Sequence, residues 1–170
     1  VLCHPRDNLM LHKALQIARP GDLLVASTGG YPDAGYWGGL MATSAMARKL
    51  GGLAIDGCVR DSEEMIAMGF PVFCRGTCMR GTTKGVLGTV NLPILFGEVT
   101  VNPGDLVLGD DDGIVIVAAK DMEKILAAFP GHREALHYLS KIQPTQAPAV
   151  PAPGEALVRV GVNACGRIDI

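Results

Sequence analysis

Apolar residues at Leu11, Ala14, Leu15 and Ala18 recur at three- and four-residue intervals, a spacing that predicts a helix over Leu9 to Ala18. Pro20-Gly21 ends it. Leu23 to Ala26 then reads as a strand, and Ser27 to Trp37, rich in Gly, Pro and Asp, as a loop. A small-residue helix is predicted from Gly38-Gly39 to about Leu50, and its glycine start leaves the first backbone N–H groups unobstructed. Leu53 to Val59 reads as a buried strand, Ser62 to Met68 as a short helix and Phe70 to Cys74 as the next strand. That succession is of the β-α-β kind, with parallel pairing near Arg60.

Beyond Cys74 the pattern changes to short apolar runs between turns. Strands are predicted at Gly85 to Val90, Ile94 to Phe96, Val99 to Val101, Leu106 to Leu108 and Ile114 to Val117, with Asp111-Asp112-Gly113 as a hairpin turn. One internal echo stands out. Arg19-Pro20-Gly21-Asp22 and Asn102-Pro103-Gly104-Asp105 each place a Pro-Gly-Asp turn before an aliphatic strand. A helix from about Asp121 presents Met122, Ile125, Leu126 and Phe129, is interrupted at Pro130-Gly131 and resumes through Leu136 and Leu139. The organisation expected is one domain over residues 1–142, followed over 143–170 by a Pro- and Ala-rich linker (Gln143 to Gly154) and a tail. From Glu155 that tail adds an edge strand or reaches a neighbouring subunit.

Composition narrows the class. With 170 residues, 48% apolar and 19% charged, the chain suits a single aliphatic core. A formal net charge of -2 and the absence of a basic run argue against nucleic acid as a partner. Apolar stretches such as Ile114 to Ala119 are far short of the ~20 residues that span a bilayer, so no membrane is implied. Five cysteines, odd in number and without a Cys-x-x-Cys pair, fit a reducing cytoplasm better than a disulfide framework or a zinc ribbon. The chain opens on Val1 rather than Met, as expected of a piece of a longer protein, and shows no signal peptide.

The chemistry concentrates at Arg60-Asp61, where an apolar run delivers a cation and a carboxylate side by side to a strand end. Strand ends and helix starts converge on crevices in α/β proteins. Asp61 suits a hard oxygen ligand for Mg²⁺, which keeps several waters and needs only one or two carboxylates. Glu64 follows at i, i+3, on the same helix face, where it can orient metal-bound water. The plainer account is a surface ion pair with acidic residues favouring a helix N-terminus. Gly39, separated from Arg60 by twenty residues, adds a helix start able to face an anion. Close helix-on-sheet packing explains that glycine equally well.

Taken together, Gly39, Arg60, Asp61 and Glu64 stand in the register Gly, twenty residues, Arg-Asp, two residues, acid. In this the chain resembles the class II pyruvate aldolases that cleave 4-hydroxy-4-methyl-2-oxoglutarate and 4-carboxy-4-hydroxy-2-oxoadipate. Those enzymes belong to the fold group named after the regulator of ribonuclease E activity A. The resemblance runs from Arg6 to about Leu139 and includes Gly69-Phe70-Pro71-Val72, Gly88-Thr89-Val90-Asn91-Leu92-Pro93-Ile94 and Asp110-Asp111-Asp112-Gly113.

The resemblance implies an α/β sandwich with a central mixed sheet, similar to swivelling phosphohistidine-type domains, assembled as a homotrimer or homohexamer with the pocket at subunit contacts. It implies a Mg²⁺ or Mn²⁺ ion bound directly by Asp61 and through water by Glu64. Arg60 would contact the 2-keto oxygen, and the backbone amides of Gly39, Leu40 and Met41 would receive the carboxylate of a small 2-oxo acid. A metal-associated water would act as base, and oxaloacetate decarboxylation would be a side activity. Three departures are visible: Met65 stands where many relatives carry a second acid, Glu134 is a poor match for a cross-subunit Glu, and the region relatives carry before the equivalent of Val1 is absent.

Other residues read more plainly. Lys84 as a Schiff-base lysine would make the enzyme a class I aldolase. Asn8 and His12 share an early helix near the pocket, with packing the default role for the histidine. Cys74 and Cys78 read as packing residues. Two rivals remain: a non-enzymatic regulator of the ribonuclease E type acting by protein binding, and a dedicated oxaloacetate decarboxylase.

Overall fold

The computed structural model describes residues 1–110, 113–128 and 157–160. Helix α1 (Leu9–Ile17) buries Met10, Leu11, Ala14 and Leu15, the face its spacing predicts. Strand β1 (Leu23–Ala26) pairs in parallel with β2 (Gly52–Ile55), from Leu23↔Gly52 to Ala26↔Ile55, and β2 pairs in parallel with β4 (Val72–Phe73). All four residues of β2 are buried, as a central strand covered on both faces requires. Helix α2 (Gly39–Ala47) links β1 to β2, and α3 (Ser62–Met68) leads towards β4.

Strand alternation separates two cores. Leu24, Ala26, Leu53 and Ile55 face the helices, where Leu11, Leu15, Met65, Phe70 and Trp37 pack on them. The Trp37 and Phe70 rings stack with centroids 6.0 Å apart. Ala54, flanked by the partly buried Leu23 and Val25, faces the second core with Ile94, Phe96, Val99, Val101, Ile114 and Ile116.

That second core comes from antiparallel pairs. Strands β6 (Ile94–Phe96) and β7 (Val99–Val101) form a hairpin, and β8 (Leu106–Asp110) pairs with β9 (Gly113–Val117), whose other edge takes β10 (Leu157–Val160). Parallel and antiparallel pairing therefore mix between packed sheets, in an α/β architecture, with each sheet of the described residues keeping one sense. The tail strand expected after Glu155 is the edge strand β10. Asp110↔Gly113 closes the β8–β9 pair around the expected turn, whose residues 111–112 lie outside the described residues. So do Phe129, Pro130-Gly131, Glu134, Leu136, Leu139 and the Gln143 to Gly154 linker.

The echoed turns are one device used twice. Asp22 Oδ2 accepts from the Arg19 amide and Asp105 Oδ2 from the Asn102 amide, both at 2.8 Å. Gly21 and Gly104 hold φ of +89° and +92°, the left-handed region glycine adopts without steric cost.

Two expected strands differ. The run Leu53 to Val59 is broken at Asp56-Gly57. Buried Asp56 accepts hydrogen bonds from Ser27 Oγ, Thr28 Oγ1 and the Thr28 amide, which pulls the chain towards the β1 end. Gly57 then passes so close to Thr28 Oγ1 and the Tyr36 ring that a Cβ would sit about 3 Å from both. Strand β3 (Cys58–Val59) leaves the main sheet and pairs in parallel with β5 (Gly76–Thr77). The strand expected at Gly85 to Val90 does not form, because the Gly85 and Val86 amides donate to the Asp7 carboxylate and Thr89 pairs with Leu2. The segment is anchored as a loop. A helix following Ala118 begins as a 3-10 turn (Ala119–Asp121) and continues as α4 (Met122–Ala128).

Candidate active site

The bend at Asp56-Gly57 aims the chain after β3 at the start of α2. Asp61 stands there as N-cap of α3 in the left-handed conformation, φ +54° and ψ +39°. Only a short polar residue with local hydrogen bonding visits that region cheaply. Its Oδ2 accepts a hydrogen bond from the Gly39 amide at 3.1 Å. The carboxylate thus sits at the positive end of α2, where first-turn N–H groups lack helical partners.

Glu64 converges on the same spot. A Cβ built on Gly39 would overlap the Glu64 carboxylate, and one built on Gly38 would come within 2.5 Å of Asp61 Oδ2 and 2.9 Å of Arg60 Cγ. Both glycines therefore lie under close approach by side chains of the Arg60–Glu64 segment, and at Gly39 the neighbour is the far end of the flexible Glu64 side chain. The first turn of α2 supplies a further limit: the Met41 amide donates to the Gly38 carbonyl at 3.0 Å, so of the three amides expected to receive a carboxylate this one is engaged within the helix. Leu40, beside it, is 85% exposed.

Arg60 is fixed from both ends. Its amide donates to the Trp37 carbonyl at 2.8 Å, and its Nη1 donates to the Gly35 carbonyl at 2.8 Å. Its Nε lies 3.6 Å from Asp61 Oδ2, with the two side chains 32% and 45% exposed. A partly exposed pair at that separation contributes little to stability. The arginine is held by backbone acceptors and keeps donors for a ligand, while the acids remain accessible.

His12 and Asn8 lie on the wall behind. Asn8 Nδ2 donates to the Tyr36 carbonyl at 2.8 Å, and Asn8 Oδ1 and His12 Nε2 are buried without a hydrogen-bond partner among the described residues. Burial first, then the charges of Lys84 and Arg60, push the His12 pKa below its ordinary 6.5. Asp7, which sequence reasoning passed over, is 1% exposed and serves two elements. Its Oδ1 accepts from the Leu9 amide at the start of α1, and its Oδ2 from Thr83 Oγ1 and the Gly85 and Val86 amides. Burial alone would raise its pKa, but these hydrogen bonds win and lower it. An acid directly before Asn8-Leu9 at a helix start was the available signal.

The residues suit a hard divalent cation. Two carboxylates approach the exposed start of α2, and among the described residues there is no group of three or more His, Cys, Asp or Glu that could hold a metal ion. That is the donor set of an ion that keeps most of its waters, and unlike that of a structural zinc site. A separate groove of about 950 Å³ lies at the other end of the sheet, between Asp22, Leu24 and Gly51 on one side and Pro103 and Asp105 on the other. Its Asp side chains are spent on their own turns. In open parallel sheets ligands bind at the carboxyl ends of the strands, which favours the Arg60 end.

Known proteins agree with this architecture. Residues 1–116 match the RraA-like family model, described as Aldolase/RraA. A Halalkalibacterium halodurans protein named "Putative 4-hydroxy-4-methyl-2-oxoglutarate aldolase" is 36% identical over 120 residues, which are 71% of this chain and 57% of that protein. The chain therefore spans little more than half the length of that relative. Among solved structures, one described as S-adenosylmethionine: 2-dimethylmenaquinone methyltransferase from Geobacillus kaustophilus is 36% identical with a TM-score of 0.66, covering 71% of this chain and 74% of its own. The RNA-processing inhibitor RraA from Thermus thermophilis is 27% identical with a TM-score of 0.63, covering 66% and 69%. By its sequence match over residues 1–116 and its fold, the chain belongs to the RraA-like family of aldolases and RraA proteins.

Proposed function

We propose that this chain is a divalent-metal-dependent class II pyruvate aldolase. Its substrates are 4-hydroxy-2-oxo acids with additional carboxylates, of the 4-hydroxy-4-methyl-2-oxoglutarate or 4-carboxy-4-hydroxy-2-oxoadipate kind, cleaved to pyruvate plus a second pyruvate or oxaloacetate. The observation that carries this reading is the meeting of Arg60, Asp61 and Glu64 at the N-terminus of α2. A relative bearing an aldolase name at 36% identity supports it.

In the cleavage the C3–C4 bond breaks and its electron pair moves into the enolate of pyruvate; the C4 hydroxyl proton passes to water as C4 becomes a carbonyl, and the enolate carbon then takes a proton from water to give pyruvate. Arg60 stands at the keto oxygen, where a guanidinium held by the Gly35 carbonyl meets the developing negative charge without reorganising. The α2 N-terminus, through the Gly39 and Leu40 amides, holds the substrate carboxylate. Asp61 and Glu64 are the residues that would hold Mg²⁺ or Mn²⁺, Asp61 directly and Glu64 through water. The ion, when bound, supplies a Lewis acid for the 2-oxo acid and lowers the pKa of coordinated water. The same enolate forms when oxaloacetate loses carbon dioxide, so decarboxylase activity accompanies the aldolase.

Pyruvate release from the two keto acids, followed with and without EDTA, tests the reading. Chelation should abolish turnover, and Arg60→Ala should lower kcat by roughly 10²–10³-fold, the usual loss for one such donor. Undiminished turnover in EDTA would remove the metal-dependent mechanism.

Likeness to an RNA-processing inhibitor favours one alternative, a regulator that acts by binding a protein. Mg²⁺ titration of the wild type and of Asp61→Ala separates the two, since a regulator has no use for a metal ligand at that position. Assembly as a homotrimer or homohexamer belongs to the same proposal. Leu40, Met79 and Leu87, 85%, 93% and 79% exposed, are apolar side chains that a neighbouring subunit would cover. A monomer by light scattering would contradict it.

A further inference from the structure

Building on the aldolase reading, we propose that Gly35 is the positioning residue of Arg60: its carbonyl, locked by the backbone around it, turns the guanidinium so that Nη2 is the nitrogen presented to the substrate.

The chain that delivers Arg60 runs in the middle of a narrow backbone ribbon apart from the main sheet. On one edge β3 pairs in parallel with β5, and beyond that pair the Cys78 amide donates to the Val59 carbonyl at 2.8 Å. On the other edge Gly35 bridges Cys58 in parallel. There the Tyr36 amide donates to the Cys58 carbonyl at 2.9 Å and the Arg60 amide to the Trp37 carbonyl at 2.8 Å. After β5 the chain folds across to that second edge, where the Gly35 amide donates to the Arg80 carbonyl at 2.8 Å. Backbone therefore closes around the base of Arg60.

Gly35 stands at the closure. It is buried, and a Cβ built on it would overlap the Cys78 carbonyl oxygen and come within 3.1 Å of Arg60 Cβ. Its φ is not positive, so glycine is needed here for space rather than for backbone freedom. The obstacle is a main-chain carbonyl, which cannot swing aside as a side chain would.

With its amide held, the Gly35 carbonyl has one direction, and it accepts from Arg60 Nη1 at 2.8 Å. Arg60 Nε lies 3.6 Å from Asp61 Oδ2, and Nη2 has no hydrogen-bond partner among the described residues. A guanidinium is planar, with its donors in one rigid fork, so fixing Nη1 and placing Nε fixes where Nη2 points. A donor held in this way meets developing charge without first reorganising.

Pyruvate release by wild type, Gly35→Ala, Arg60→Ala and the double variant forms a cycle that separates positioning from packing. Gly35→Ala should lower kcat roughly tenfold or more with KM little changed, because the added methyl displaces the acceptor and the guanidinium with it. In the Arg60→Ala background the same change should cost less than about twofold, since no guanidinium is left to misplace. A purely structural role would lower kcat by the same factor in both backgrounds. That result, or undiminished turnover in Gly35→Ala, overturns the assignment while leaving the aldolase reading intact. A wild-type protein that releases no pyruvate overturns both together.

Nitrogen-15 spectra of the wild type give a second measurement, independent of whether Gly35→Ala folds. The Arg60 Nη signals, identified by their loss in Arg60→Lys, should be resolved from each other by slow rotation about Cζ–Nε. A freely rotating guanidinium with averaged Nη signals overturns the assignment.

Discussion

The Gly39 amide donates to Asp61 Oδ2 at 3.1 Å, joining the two halves of a motif that the sequence separates by more than twenty residues. In this arrangement a carboxylate already rests on the helix N-terminus to which the proposed function assigns the substrate's own carboxylate. Both anions favour the same partial positive charge. On the proposed function, a divalent cation bound by Asp61 would relieve that competition, coupling the metal and substrate positions through one amide.

Asp61→Asn should keep the fold and lose the metal. The asparagine oxygen can still accept from the Gly39 amide, and asparagine tolerates the left-handed backbone that Asp61 adopts. Asp61→Ala loses the acceptor and pays roughly 1–2 kcal/mol for the same backbone. Thermal melts should therefore rank wild type near Asn and above Ala, while calorimetric Mg²⁺ titration should show binding only in the wild type. Mg²⁺ affinity undiminished in both variants would exclude Asp61 as a ligand.

Gly39→Ala is expected to damage function more than stability. Its new Cβ collides with the end of the flexible Glu64 side chain rather than with backbone, so the carboxylate swings away and the helix persists. The melting temperature should change by only a few degrees, about 1 kcal/mol or less. Mg²⁺ affinity and turnover should fall by about tenfold or more. A Gly39→Ala protein with wild-type metal affinity would show that the Glu64 position is immaterial.

Asp56→Ala should be among the most damaging single changes. It strips the partner from Ser27 Oγ, Thr28 Oγ1 and the Thr28 amide in a buried site and releases the bend that aims Arg60. Leaving such donors unpaired costs about 3–5 kcal/mol. Urea denaturation should register this as a lower midpoint with an unchanged slope. A loss below about 1 kcal/mol would mean that water replaces the carboxylate.

Stability should decline in mild acid through His12. Burial and the two nearby cations hold its folded pKa below 6.5, so as pH falls the unfolded chain takes up the proton first. The contribution is complete above 6.5 and is lost as pH drops from there towards the folded pKa. His12→Gln should flatten this part of the stability–pH curve in chemical denaturation, and a curve of unchanged slope would assign the acid sensitivity elsewhere.

How much of this was legible in the sequence depends on the range of the interaction involved. The α1 and α3 spans, the echoed Pro-Gly-Asp turns and the β8–β9 pair were readable because periodicity and turn chemistry act within a few residues. At Asp56-Gly57 the Asp-Gly pair is a turn signal inside an otherwise apolar run, but the partners that hold the break were not readable, since they lie near Ser27. The absent strand at Gly85 to Val90 has the same cause, a claim on its amides by Asp7 from far up the chain.

By itself the sequence pointed to an α/β chain with parallel pairing near Arg60 and a β-rich second half carrying a hairpin turn, and it marked Gly39, Arg60, Asp61 and Glu64 through their register. Only the tertiary structure decided that the Asp61 and Glu64 carboxylates both approach the Gly38–Gly39 turn, that the Met41 amide is already engaged, and that Asp7 ties the loop at Thr83 to Val86 to the start of α1. Spacing along a strand or helix fixes which way a side chain points. Which distant group it meets depends on how sheets and loops pack, and that is set by burial and hydrogen bonding across the whole fold.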